Sequence, residues 1–148
     1  MNTLMRNIIA SSAGFDTLPA RIAGGVIFAA HGAQKLFGWF GGYGLEGTGG
    51  WMASIGLQPG VLMAALAGGA EFVGGLALIL GLLVRPAAVV LALTMLVAIF
   101  QVHLPNGLFL TNNGYEFGLA LLAISAVLAI RGAGSASVDQ LLNARLAR

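Results

Sequence analysis

Lys35, Glu71 and Glu116 are the charged residues that fall well inside the long apolar stretches of this 148-residue chain. At ~1.5 Å rise per helical residue, each lies roughly 21–23 Å from the nearest basic flank, Arg21, Arg85 and Arg131 in turn. His103, counted from Pro86, comes out near the same level. An ammonium and carboxylates at matched depth can form an ion pair or exchange a proton, and imidazole can hydrogen-bond an oxygenated ligand. In hydrocarbon such groups are costly and face a bundle interior, a partner or a cavity. The expected chemistry is proton transfer by Glu71 and Glu116. His31, Lys35, Trp39, Gln101 and His103 would hold a ligand.

Each of these residues also has a plainer reading. Around Glu71, the positions three, four and seven residues away are Ala64, Ala67, Gly68, Gly74, Gly75 and Leu78. Small residues let another helix backbone approach, so Glu71 is expected to face protein. It is then either half of a structural ion pair with Lys35 or an acid/base at a site. His31 and Lys35, four apart, share one helical face, and Trp39 extends it. His31 alternatively bonds a backbone carbonyl, and Lys35 alternatively snorkels to the headgroups. Glu116 opens a helix, where a carboxylate suits the positive end of the dipole. Thr94 and Gln101 are seven apart on a face neighbouring His103. The aromatic set Phe37, Trp39, Phe40, Tyr43, Trp51, Phe109 and Tyr115 is either an interface belt or the walls of a pocket for a flat apolar ligand such as a quinone ring.

Composition restricts the class. The chain is 58% hydrophobic and 8% charged, with mean hydropathy +0.92, whereas soluble domains carry roughly 25% charged residues. The net charge of +2 comes from few groups, and no basic run supports a nucleic-acid partner. The absence of cysteine excludes disulfides, thiolate metal ligation and thiol–disulfide exchange by this chain. With two histidines, no protein-only metal site is expected.

The elements that must position these residues read as an all-α integral membrane bundle of four transmembrane helices. The expected spans are about 21–40, 61–84, 86–103 and 114–131. Amphipathic surface helices are expected over about 3–14 and 136–147. The apolar run after Arg6 is short and lacks a small-x-small cleavage site, which disfavours a secretory signal. A short outer helix around Thr48–Gly56, with Thr48 as its cap, would cover the bundle between spans one and two. A tight turn at Arg85–Pro86 joins spans two and three. With four spans, Arg6, Arg21, Arg85, Arg131, Arg145 and Arg148 share one side, which puts both termini in the cytoplasm.

The segment HGAQKLFGWFGG (residues 31–42), followed by GLEGTGGWMASIGL (44–57), resembles the DoxX family of bacterial four-helix membrane proteins. AEFVGGLALIL (70–80), GLLVR (81–85) and NGYEFGL (113–119) fit the same pattern. The resemblance covers roughly residues 21–131. It implies an inner-membrane location and links to membrane oxidoreductase complexes. It also carries His31, Lys35, Gly38, Trp39, Glu71 and Glu116 over as site positions. The expected function is a quinone-interacting or anchoring subunit of a membrane redox complex, working as a homo-oligomer or within a larger complex in the lipid bilayer. The competing expectations are a structural or assembly partner and a small-molecule carrier.

Overall fold

The structure is a computed structural model that describes residues 8–146. Its described residues form helices and turns without strands. Helix α1, Leu18–Phe37, begins with Pro19 in its first turn, where the missing N–H has no partner to lose. It stops at Gly38, whose φ of 71° is left-handed. A 3-10 turn, Trp39–Gly41, leads to α2, Gly44–Ser54. Then come α3, Gly60–Leu80, and α4, Val84–Ala98. Helix α4 runs on through a π-helical turn, Ile99–His103, and a 3-10 turn, Leu104–Asn106. After a loop, α5 spans Glu116–Arg131, and α6 covers Val138–Leu146.

Several boundaries differ from expectation. Helix α2 starts four residues before Thr48, which is buried inside it and donates to the Lys35 carbonyl at 3.4 Å. Thr48 is therefore a tether to α1 and not a cap. Helix α4, the expected third span, begins at Val84, so Arg85 and Pro86 lie in its first turn and the link is Gly81–Leu83. Of the surface helix expected over 3–14, Ile8 and Ile9 are helical, residues 10–14 are not, and residues 3–7 lie outside the described range.

Helix α1 packs most closely on α3, through facing glycines. A Cβ on Gly25 would lie 2.8 Å from the Gly75 carbonyl oxygen, and one on Gly32 would stand 2.7 Å from Phe72 Cα. Neither position admits a side chain without moving backbone. The apolar core of Leu78, Val84, Ala88, Leu91, Leu128 and Ala133 fills the end of the bundle near the α3–α4 turn. The outward faces of α3, α4 and α5 are apolar, with Val73 65%, Phe100 61% and Ile130 72% exposed. A surface of this kind belongs against lipid or protein. Two stretches, Gly60–Leu80 and Val84–Asn106, are long and apolar enough to cross a membrane.

Arg21, Arg85 and Arg131 do gather at one end, but they are spent on structure, and Arg6 and Arg148 lie outside the described residues. Arg21 is 1% exposed and donates to the carbonyls of Ala133 (2.5 Å) and Ala136 (2.8 Å). Arg85 donates to the Ala10 carbonyl, and Arg131 pairs with Asp16 at 2.6 Å. These contacts draw the segments before α1 and after α5 across the bundle end. Asp139 of α6 completes the closure. It is buried, and its carboxylate accepts the backbone N–H groups of Leu83 (2.8 Å) and Val84 (3.1 Å). Leu83 holds a left-handed φ of 50°, which costs an L-residue roughly 1–2 kcal/mol. The carboxylate caps α4 from 55 residues away.

Gly32→Val is expected to lower stability in detergent by about 1–3 kcal/mol or more through overpacking. Gly69→Val, where an added Cβ meets open space, should be near neutral in the same thermal melts. Asp139→Ala should cost about 1–3 kcal/mol by orphaning two amides, and Asp139→Asn less. Burial pushes the Asp139 carboxyl above the usual range, against the opposing pull of the Val84 and Leu83 amides and of Arg21. The folded state therefore holds this proton to higher pH than the unfolded chain. The contribution of Asp139 is full below the unfolded carboxyl value and declines as pH rises through the folded one. Asp139→Asn should flatten that decline in melting temperature against pH.

Candidate functional site

The half of the bundle opposite the apolar core is not filled. There α1, α3, α4 and α5 surround a cavity of about 1180 Å³, with α2 across its outer end. Phe28, Met95 and Leu121 form the boundary between core and cavity. Its walls are mostly apolar, with Phe117, Trp51, Met63 and Met52 among them. A short polar set interrupts them: His31, Gln34, Lys35, Thr48, Glu71, Thr94, His103 and Asn113.

Lys35 and Glu71 meet on the wall. Lys35 Nζ lies 2.6 Å from Glu71 Oε2, with side-chain exposures of 24% and 5%. The contact follows from the glycine packing beneath it. Gly68, Gly74 and Gly75 are buried with Glu71 on one face of α3, and an added Cβ at Gly68 would lie 3.1 Å from Lys35 Cβ. A lone carboxylate at 5% exposure would suffer a large desolvation cost, which the ammonium offsets. An ammonium has three donors, and one is used on Glu71. Among the described residues no second acceptor bonds the ammonium, so two donors are left unused.

His31, one turn before Lys35, also lines the cavity, with its ring 6.0 Å from that of Phe117. His103 stands on the opposite side. Its Nδ1 is 2.9 Å from the Asn113 carbonyl oxygen. A carbonyl can only accept, so Nδ1 carries the proton there, and in the neutral ring Nε2 is left as an acceptor. Gln34 donates to the Phe40 carbonyl at 3.3 Å and so fixes the chain beyond α1.

Three of the expected site residues lie elsewhere. Trp39 falls beyond the left-handed Gly38, is 55% exposed and stacks with Phe37 at 5.1 Å, off the face of Lys35. Glu116 accepts the Leu110 N–H at 2.5 Å and serves the loop before α5, not the cavity. Gln101 is exposed and outside the lining. The π turn Ile99–His103 closes its bonds over five residues and winds less per residue, so the seven-residue relation between Thr94 and Gln101 fails. Thr94 stays on the lining and donates to the Val90 carbonyl. Gln34 and Thr48 were not expected at the site. Gln34 adjoins Lys35 but does not share the His31–Lys35 stripe, and the Thr48 tether depends on where α2 begins. Among the described residues, no group of three His, Asp or Glu side chains could hold a metal ion.

Comparison with known proteins adds a family. Residues 17–104 match the family model DoxX. A Bacillus subtilis protein named "Putative oxidoreductase CatD" is 36% identical over 123 residues, which cover 83% of this chain and 84% of the relative. An uncharacterized protein of Haemophilus influenzae is 31% identical over 86 residues, 58% of this chain and 57% of that protein. No solved structure matches the chain significantly. The matched segment begins just before α1 and ends just past the π-helical turn that follows α4, and it contains Lys35, Glu71 and His103. This chain therefore belongs to the DoxX family of membrane proteins.

Proposed function

We propose that this protein crosses a bacterial inner membrane four times, with both termini cytoplasmic, and binds a quinone as a subunit or anchor of a membrane redox complex. One observation carries the reading. A buried Lys35–Glu71 pair stands in the wall of a large, mainly apolar cavity. Helices α1, α3, α4 and α5 would be the four spans, and the arginine-bearing end would face the cytoplasm. The name of the Bacillus subtilis relative favours redox work. The chain has no cysteine, so a bound molecule or a partner would carry the electrons.

The residues present fit a quinone. Phe28, Phe117 and Leu121 supply flat or apolar wall, and Lys35 supplies a donor for a carbonyl oxygen. A bound quinone would supply two-electron chemistry coupled to two protons. The chain's own part is binding, orientation and proton handling. Lys35 donates a hydrogen bond to an oxygen, and the Glu71 carboxylate, 2.6 Å away, holds the ammonium aimed at it. His103 Nε2 can receive a proton on the far side. Oligomeric partners and the membrane complex itself belong to this proposal as well.

A second reading rests on the same contact. A 2.6 Å pair between two glycine-packed helices is also what a purely structural clamp requires. The protein would then be an assembly partner without a ligand.

Protein purified in mild detergent is expected to retain quinone, detected by mass spectrometry of the organic extract. Glu71→Gln should weaken quinone binding about tenfold, the loss of one charge-assisted interaction. Absence of quinone, or unchanged affinity in the variant, would refute the first reading. Lys35→Met alone should cost about 3–5 kcal/mol by leaving Glu71 buried and unpaired. The double exchange Lys35→Glu with Glu71→Lys should recover the melting temperature but not quinone binding. Recovery of both folding and cellular function would favour the clamp.

A further inference from the structure

The cavity has an open flank. On α3, Leu66, Ala67 and Ala70 line it, and on α4 Val90, Leu93 and Val97 line it. These stretches face space and not each other, because α3 leans on α1 through Gly68 and Gly75, while α4 packs on α5. At the Leu83 end the two helices do touch, where an added Cβ on Gly74 would sit 3.0 Å from Leu91 Cγ. Four of the lining residues are also widely exposed on the outside: Leu66 58%, Leu93 56%, Val97 52% and Val90 47%. A side chain that both lines a cavity and lies open on the outer face marks an aperture. This aperture is bordered mainly by Leu, Val and Ala, and the one hydroxyl among them, that of Thr94, is engaged by the Val90 carbonyl. It lies along the two stretches that are apolar enough to cross a membrane.

We infer that the cavity takes its ligand sideways from the bilayer, through the gap between α3 and α4, and that the ligand is an uncharged single-tailed amphiphile. Its oxygen-bearing head reaches the Lys35–Glu71 wall, and its tail lies between Leu66 and Leu93 and continues into the lipid. The charge state of the head follows from the pair. Lys35 and Glu71 cancel at 2.6 Å, so the wall offers donors and an acceptor without net charge. A phosphate head would have to be desolvated with no counterion to answer it. An apolar tail gains from staying in hydrocarbon, so a side entry costs it no transfer to water. The inference rests on the reading of the cavity as a ligand site, and it does not require the head to be a quinone.

The test uses the full-length protein in phosphatidylcholine nanodiscs and two uncharged long-chain alcohols. One carries a photoreactive diazirine beside the hydroxyl, the other near the tail end. Labelled residues are mapped by mass spectrometry after irradiation. The head-side probe should label Glu71, Lys35 or His31, and the tail-side probe Leu66, Leu93 or Val97. Leu93→Trp, at a site already mostly exposed, should cut head-side labelling of Glu71 at least fivefold. Labelling of the outward-facing Leu119 should be unchanged. Val97→Trp provides a second plug should the first variant fail to fold. Labelling confined to outer faces would overturn the inference, as it would if a second copy of the chain filled the gap. So would labelling of Glu71 that is insensitive to both plugs. Loss of quinone binding with labelling intact would remove only the quinone. Quinone retention without labelling would remove only the side entry.

Discussion

The close approach of α1 to α3 is the constraint on which the rest depends. Four glycines, Gly25 and Gly32 on one helix and Gly68 and Gly75 on the other, bring backbone against side chain and backbone. Without that approach Lys35 could not reach a carboxylate on the buried face of α3, and Glu71 would stand uncompensated in an apolar setting. The same approach creates the cavity. A helix drawn hard against one neighbour leaves room on its other side, and α4 does not follow because it is committed to α5. Ion pair and void are two results of one packing choice.

The molecule consequently has two ends of different character. At the arginine end most of the charged groups are engaged by the backbone: Arg21 through its two terminal nitrogens by the carbonyls of Ala133 and Ala136, though its buried Nε has no partner, Arg85 by that of Ala10, and Asp139 by two amides. Such groups rigidify and have little left to offer a ligand. At the other end, the ammonium of Lys35 and the free nitrogen of His103 retain bonding capacity and share a space. Largely engaged groups and open valences are separated along the bundle, and the candidate site sits where capacity remains.

Much of this was legible in the chain. The helical order was readable from periodicity, and the facing of Glu71 from the small residues around it. The pairing of Glu71 with Lys35 followed from matched depth, because a charge in an apolar run needs a partner at its own level. The gathering of Arg21, Arg85 and Arg131 at one end was readable from their alternating positions along the chain. Other features were not legible, for identifiable reasons. Arg21 resembles an ordinary flanking cation, and its burial depends on carbonyls 112 and 115 residues away. The π turn leaves no mark in composition, so Gln101 was assigned to a face it does not occupy. The Glu116 carboxylate, placed at the depth of the others, answers the nearby Leu110 amide first, since a local donor prevails over a distant site. Trp39 was carried along an α-helical stripe that Gly38 had already ended.

The capping of α4 by Asp139 has a consequence for biosynthesis. The α3–α4 hairpin emerges from the ribosome well before the residue that satisfies its exposed amides. During that interval nothing fixes Leu83 in its left-handed geometry, and the two long apolar rods are joined by an unsecured hinge. Only after the last helix has been translated does the carboxylate arrive and fasten it. The order of manufacture thus separates insertion of the hairpin from its locking, and a nascent chain halted before residue 139 would hold both rods but not their fixed angle.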